Sequence, residues 1–295
     1  MTPMNPTPLM EVRNLTKRFG GLVAVNDVSF AVQEGEILSV IGPNGAGKST
    51  LFKLASSFLT PTSGRVFFRG EDVTSQSPHI AARKGIVRTF QETTIFRNMT
   101  ALDNVVVAHH LRSRASLPGF FFGTKTAGED EKRFRESASE ILNYLGLGDV
   151  RDMIASTLPH GHLRALGIAI GMAADPKLLL LDEPFAGMNS EETTQAIRMV
   201  RGIRDRGVTI ILVEHDMSAV MTISDRIVVL NFGKKIAEGT PAGIQNDELV
   251  IEAYLGREDE NEEDVNEENV NEENGDEETQ ESNASSRKAG IENVP

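Results

Sequence analysis

The chain has 295 residues, 39% of them hydrophobic, with a formal net charge of −13 and no cysteine. That is enough apolar content for a sizeable core, and it excludes disulfides and thiolate metal sites. Residues 257 to 295 carry 15 acids and 3 bases, leaving 28 acids against 27 bases in residues 1 to 256; neither part offers a basic face, so no nucleic-acid partner is expected.

In chain order, residues 1 to 10, MTPMNPTPLM, read as a flexible N-terminus without the basic and apolar regions of a secretion signal. No later stretch approaches the ~18 to 20 uninterrupted apolar residues of a membrane span, so the polypeptide is expected in the cytosol. Residues 11 to 33 alternate apolar and polar with β-branched residues, which predicts strands, and the chain then turns at Glu34-Gly35 into EILSVIG, a buried strand. A helix opens at GKSTLFKLASSF. After Asp175-Pro176 comes the buried strand LLLL, and then the helix NSEETTQAIRMVRGIRDRG, for which Asn189 is the expected N-cap with Glu192 three residues on. VTIILVEH supplies another buried strand. This alternation predicts an α/β sheet with its ligand at the carboxyl ends of the strands. From Asn261 to Gln280 runs a degenerate pentapeptide repeat, NEEDV NEENV NEENG DEETQ, whose sparse apolar residues and like charges predict a disordered tail over 257 to 295. A partner-binding tail is the other reading of it.

The sharpest signal is GPNGAGKST: Gly42, Pro43, Asn44, Gly45, Ala46, Gly47, Lys48, Ser49 and Thr50. It follows a strand and opens a helix, the setting of a phosphate-binding P-loop. Its glycines let backbone N–H groups face phosphates, and the helix N-terminus adds partial positive charge. Lys48 is placed to reach the β and γ phosphates of a nucleotide, Ser49 to ligate Mg²⁺ and Thr50 to touch the α phosphate. Further on, LLLLDEP drives a buried strand up to Asp182, a carboxylate that can hold Mg²⁺ directly or through water. Glu183 follows, where it can accept a proton from the water attacking the γ phosphate, which points to hydrolysis more than to transfer.

With both phosphate motifs in this order, residues 11 to about 256 resemble the ATP-binding subunit of an ABC transporter. The resemblance implies a P-loop NTPase core with an antiparallel β subdomain and an inserted helical subdomain at about 92 to 157. It implies ATP and Mg²⁺ as ligands. It adds Gln91, in VRTFQ, as the loop glutamine that joins Ser49 and Asp182 at the Mg²⁺ and takes part in catalysis, and His215, in LVEHD, as the catalytic switch histidine that ends a late strand. It makes Phe19, in KRFGG, the aromatic that stacks on adenine; a buried core phenylalanine is the rival reading. LPHGH then falls where the family has its signature, with Leu158 and Gly161 matching and facing the γ phosphate held by a partner subunit. Pro159, His160 and His162 depart from the general Ser, Gly and Gln pattern. Metal binding by His160 and His162 is disfavoured because no Cys or carboxylate cluster adjoins them.

Several stretches outside the catalytic motifs, among them RFGGLVAVNDVSF, GIVRTFQETTIFRNMTALDNV and DEPFAGMNSEE, resemble the ATPase subunits of branched-chain and other hydrophobic amino-acid importers. That implies a second ATPase subunit, integral-membrane permease partners and a peripheral place on the cytoplasmic face of the membrane. Asn189 stands where many ABC proteins have Asp. Phe120 to Phe122 read equally as a permease contact or as internal packing, and His109-His110 as surface. The rivals are a soluble ABC ATPase without a permease, and a nucleotide-sensing subunit with weak hydrolysis. Deleting residues 257 to 295 should leave the ATPase rate and melting temperature nearly unchanged, because at physiological salt the field of the tail is screened within ~8 Å; a large loss in either would show that the tail docks on the body.

Overall fold

The computed structural model describes residues 7–89, 95–109 and 125–255. Gln91, His110, Phe120 to Phe122 and the acidic repeat lie outside the described residues. The chain starts with a hairpin, β1 (Met10–Phe19) and β2 (Leu22–Val32), antiparallel throughout, with β4 (Ser63–Phe68) on the other side of β1 and the short β5 (Glu71–Asp72) beyond it. The alternating pattern seen in the sequence is thus an antiparallel sheet of order β2-β1-β4-β5. Its first strand starts inside the stretch expected to be flexible. Leu9 and Met10 are buried, the Leu9 N–H donates to the Val32 carbonyl (2.8 Å) and the Arg69 N–H donates to the Leu9 carbonyl (2.8 Å).

The second sheet, of order β10-β9-β3-β8-β7-β6, holds β3 (Ile37–Ile41), β6 (Ile86–Arg88), β7 (Leu178–Asp182), β8 (Thr209–Val213), β9 (Arg226–Asn231) and β10 (Lys234–Gly239). All neighbours are parallel except the edge pair β9 and β10. Parallel strands are covered on both faces, which is why they read as unbroken apolar runs. Leu178 and Leu180 of β7 join a core with the antiparallel sheet and with α1 (Lys48–Ala55), whereas Leu179 and Leu181 point into a second core. That second core is built with α3 (Ala101–Ala108), α4 (Lys125–Tyr144), α5 (His160–Ala173) and α6 (Ser190–Asp205), and reaches α7 (Met217–Ile223) through Ala219 and Ile223. α2 (Pro78–Lys84) precedes β6, and α8 (Pro241–Gln245) follows β10. These elements, as far as Asp247, form one compact unit, and α9 (Glu248–Leu255) starts a second.

His109 corrects one sequence expectation. It is 3% exposed and its ring stacks on Phe134 of α4 at 5.3 Å, so it belongs to the packing between α3 and α4 and not to the surface. Asn189 caps α6 as expected. Its side chain accepts from the N–H groups of Glu191 and Glu192, and the Glu192 carboxylate accepts from the Asn189 N–H at 2.9 Å. Replacing Asn189 by Ala removes one half of this reciprocal cap and should cost about 1 kcal/mol of stability, read as a lower urea midpoint with an unchanged slope.

Candidate functional site

Side-by-side parallel strands end at the same edge of the sheet, so their loops converge there. The register puts Val40 of β3 and Asp182 of β7 on either side of Val213 of β8. β3 leads into GPNGAGKST, β7 ends in Asp182 with Glu183 next, and the chain after β8 runs through Glu214 into His215. Three segments far apart in sequence thereby share one edge.

The loop after β3 is held open by backbone contacts that leave no room for side chains. Gly42 has φ +147, and a Cβ there would stand 2.0 Å from the Leu230 carbonyl oxygen of β9; at Gly47, φ +98, it would stand 2.3 Å from the Ala24 oxygen of β2. Only glycine permits these two approaches. α1 begins at Lys48, whose ammonium curls back onto the Gly42 and Pro43 carbonyls at 2.6 and 2.9 Å. Ser49 and Thr50 sit in the first turn, Ser49 exposed and Thr50 partly so, while Ala46 is buried and Asn44 and Gly45 face solvent. The glycine cradle fits a polyphosphate, and a hydroxyl plus a carboxylate are the hard oxygen donors that suit Mg²⁺.

Asp182, two residues beyond Leu180 on β7, shares its face with that residue and so lies on the side of α1. One of its oxygens, Oδ2, accepts from Arg88 Nη2 at 2.7 Å, with both side chains nearly buried. Glu183 follows in the left-handed region, φ +49. That conformation costs a non-glycine residue of order 1–3 kcal/mol, and it persists only where its surroundings fix it. Here the Glu183 N–H donates to the Val213 carbonyl at 2.9 Å, and two residues on, the Phe185 N–H donates to Glu214 Oε1 at 2.7 Å.

Glu214 is a site residue that the motifs did not disclose. Its side chain is fully buried, its Oε2 accepts from the His215 N–H at 3.2 Å, and the His215 ring, 62% exposed, stands with Nδ1 3.9 Å from the same oxygen. Burial pushes its carboxyl above the usual range, outweighing the two backbone donors and the neighbouring histidine, with the Glu183 charge adding to the rise. A group raised on folding lends stability below its unfolded value and loses it as pH climbs through the folded one. The signal available in the sequence is an acid directly after the apolar, β-branched run VTIILV. Arg88, at the end of its short strand, carries a similar signal.

Phe19 ends β1 and is 47% exposed, which removes the buried-core reading; its ring lies 5.2 Å from the Lys17 ammonium. Its hairpin partner β2 is the strand that rests on Gly47. Leu158 is buried, and Gly161 lies in the first turn of α5, where Pro159 occupies the N-cap position without a side-chain cap. A cavity of about 220 Å³ adjoins Gly161 and His162, with Glu192, Gln195 and Met188 in its wall. Among the described residues no group of three or more His, Cys, Asp or Glu could hold a metal ion.

A glycine loop at a helix N-terminus, beside a strand ending in Asp-Glu, defines a P-loop nucleotide-binding protein. Comparison with known proteins narrows the class. The ABC transporter family model matches residues 25–186, and a model described as branched-chain amino acid ATP-binding cassette transporter matches residues 234–260. The chain belongs to the ABC transporter ATP-binding cassette family, whose members are ATPases coupled to transport. It is 43% identical over 250 residues to the high-affinity branched-chain amino acid transport ATP-binding protein BraF of Pseudomonas aeruginosa, covering 84% of this chain and 98% of the relative. Its identity to LivG of Escherichia coli is 41% with the same coverage. An ABC-transporter cassette solved in its ADP conformation superposes with a TM-score of 0.75 at 31% identity, over 85% of this chain and 99% of that one. Nothing found supports a soluble ABC ATPase without a permease.

Replacing Glu214 by Ala orphans the buried Phe185 N–H and should destabilise the protein by about 1–3 kcal/mol. Gln, which keeps one acceptor oxygen, should lose less. Urea unfolding of the two variants at neutral pH checks the order, and equal losses would show that the Phe185 contact carries nothing.

Proposed function

We propose that this chain is the ATP-hydrolysing subunit that energises an importer of branched-chain or related hydrophobic amino acids. The observation that carries it is the shared carboxyl edge, with the phosphate loop on one side of β8 and Asp182-Glu183 on the other. Similarity to BraF and LivG over nearly their whole length supports the substrate class.

In this reading residues 42–50 bind the polyphosphate, Lys48 exchanges the Gly42 and Pro43 carbonyls for phosphate oxygens, and Phe19 presents its exposed ring to adenine. Ser49, Asp182 and Gln91 hold Mg²⁺, which when bound neutralises phosphate charge in the transition state. Glu183, in its pinned left-handed turn, takes the proton of the attacking water, and His215, tethered through Glu214, stands beside it. Leu158 and Gly161 serve the nucleotide of a second ATPase subunit, so the helix dipole at α5 acts across an interface.

Among the described residues no helix is long and apolar enough to cross a membrane. On the likeness to BraF and LivG, we propose a peripheral place on the cytoplasmic face, against integral-membrane permease partners. A patch of exposed apolar side chains supports a docking surface: Phe96, Met99, Met153 and Ile154 are each at least 39% exposed. They sit on two segments joined by backbone hydrogen bonds, Ala101 to Met153 and Ala155 to Met99 at 3.0 and 2.9 Å. We retain the domain reading of a cassette over 11 to 256, with residues 92 to 157 as the helical subdomain that passes motion to the permease.

Glu183→Gln should keep ATP binding and lose nearly all hydrolysis, trapping a closed pair of subunits visible by size-exclusion chromatography with ATP. Lys48→Ala should lose binding itself, because a charge-assisted contact to phosphate goes with it. A Gln variant that hydrolyses ATP at the parental rate would remove Glu183 from its role, and retention of two multi-span proteins on the purified chain would support the importer reading.

A further inference from the structure

A carboxylate and a guanidinium, both nearly buried, meet where the cation is expected, and neither the sequence motifs nor the comparisons give the guanidinium a task. We propose that Arg88 is a positioning residue for Asp182: it holds one carboxylate oxygen in place and leaves the other to take Mg²⁺. The inference rests on the reading of Asp182 as a Mg²⁺ group.

Four observations carry it. The bond is single, from Nη2 to Oδ2 at 2.7 Å, so the arginine does not occupy both oxygens. The two side chains are 8% and 11% exposed, a depth at which each charge is costly without the other. The guanidinium lies 5.4 Å from the Phe52 ring and 5.8 Å from the Phe58 ring, an aromatic setting that restrains its swing away. The backbone fixes the origin of both partners: Arg88 pairs with Leu180 in the β6–β7 ladder, and the Thr89 N–H donates to the Leu180 carbonyl at 2.9 Å.

The position of Phe52 gives the contact its meaning. It belongs to α1, the helix that carries Ser49, so Arg88 touches β7 through Asp182 and α1 through Phe52. It thereby ties together the elements that supply two of the proposed protein ligands of the cation, Ser49 and Asp182. Groups that hold metal-binding carboxylates by hydrogen bonds set the geometry of the site, and their loss typically weakens metal binding about 10- to 100-fold. A guanidinium that merely competed with the cation for Asp182 would do the opposite.

The test is a Mg²⁺ titration of a fluorescent ATP analogue bound to the full chain, for the parent, Arg88→Met, Arg88→Lys, Asp182→Asn and the double variant Arg88→Met/Asp182→Asn. Binding without Mg²⁺ should be the same in the parent and in Arg88→Met, because the phosphate loop and Lys48 are untouched. The Mg²⁺ concentration at the midpoint should rise about 10- to 100-fold in Arg88→Met and by less in Arg88→Lys, which keeps the charge but not the planar fork. The double variant should rise no further than Asp182→Asn alone, since both act on one site. Steady-state hydrolysis should show the same split, with kcat largely restored at saturating Mg²⁺. An unchanged midpoint in Arg88→Met would make the pair a folding contact only and overturn the proposal; a lowered midpoint would overturn it by showing competition. If Arg88→Met does not fold, an unchanged or lowered midpoint in Arg88→Lys decides against the proposal and a rise decides for it. A midpoint unmoved by Asp182→Asn would instead refute the metal role of Asp182 itself.

Discussion

The site depends on two backbone approaches that tolerate no side chain. The Leu230 carbonyl of β9 closes on Gly42, and the Ala24 carbonyl of β2 closes on Gly47. Between those two points the loop from Pro43 to Ala46 is stretched over the end of β3, and the Gly233 N–H donates to the Ala46 carbonyl at 3.0 Å. The antiparallel sheet and the parallel sheet are thus joined at the phosphate loop itself. Movement of either sheet must be felt by the loop, because close-packed contacts transmit displacement and do not absorb it.

The same economy is seen on the other side of β8. Glu183 sits in a strained turn, and the groups that hold it there, the Val213 carbonyl at the end of β8 and the Glu214 carboxylate just after it, belong to the segment that also delivers His215. One buried acid therefore fixes the backbone after the proposed base and the backbone of the proposed switch residue. Strain of this kind persists where the surroundings over-determine a conformation, and here they do so through two bonds to one segment.

Much of this could be read from residues alone, for physical reasons. GPNGAGKST needs glycines to turn N–H groups inward, LLLLDEP needs four apolar residues to bury a strand on both faces, and Asn189 with Glu192 needs only local geometry to form a capping box. Each leaves its mark in neighbouring positions. The contacts that leave no such mark are long-range: Arg88 reaches Asp182 across 94 positions, and Glu214 reaches Phe185 across 29. His109, beside His110, reads as polar surface, whereas its ring is covered by Phe134, more than twenty residues further along the chain. Phe19 shows the converse, an aromatic whose exposure no pattern in KRFGG could decide.

The central claim is that the cradle between Gly42 and Lys48 receives the phosphates of ATP. The most direct measurement is a crystal structure of the full chain with Mg²⁺ and a non-hydrolysable ATP analogue. The account predicts phosphate oxygens against the backbone N–H groups of residues 45 to 48, with the Lys48 ammonium moved from the Gly42 and Pro43 carbonyls onto phosphate. Phosphates bound elsewhere, or a Lys48 ammonium still on those carbonyls beside a bound nucleotide, would contradict it.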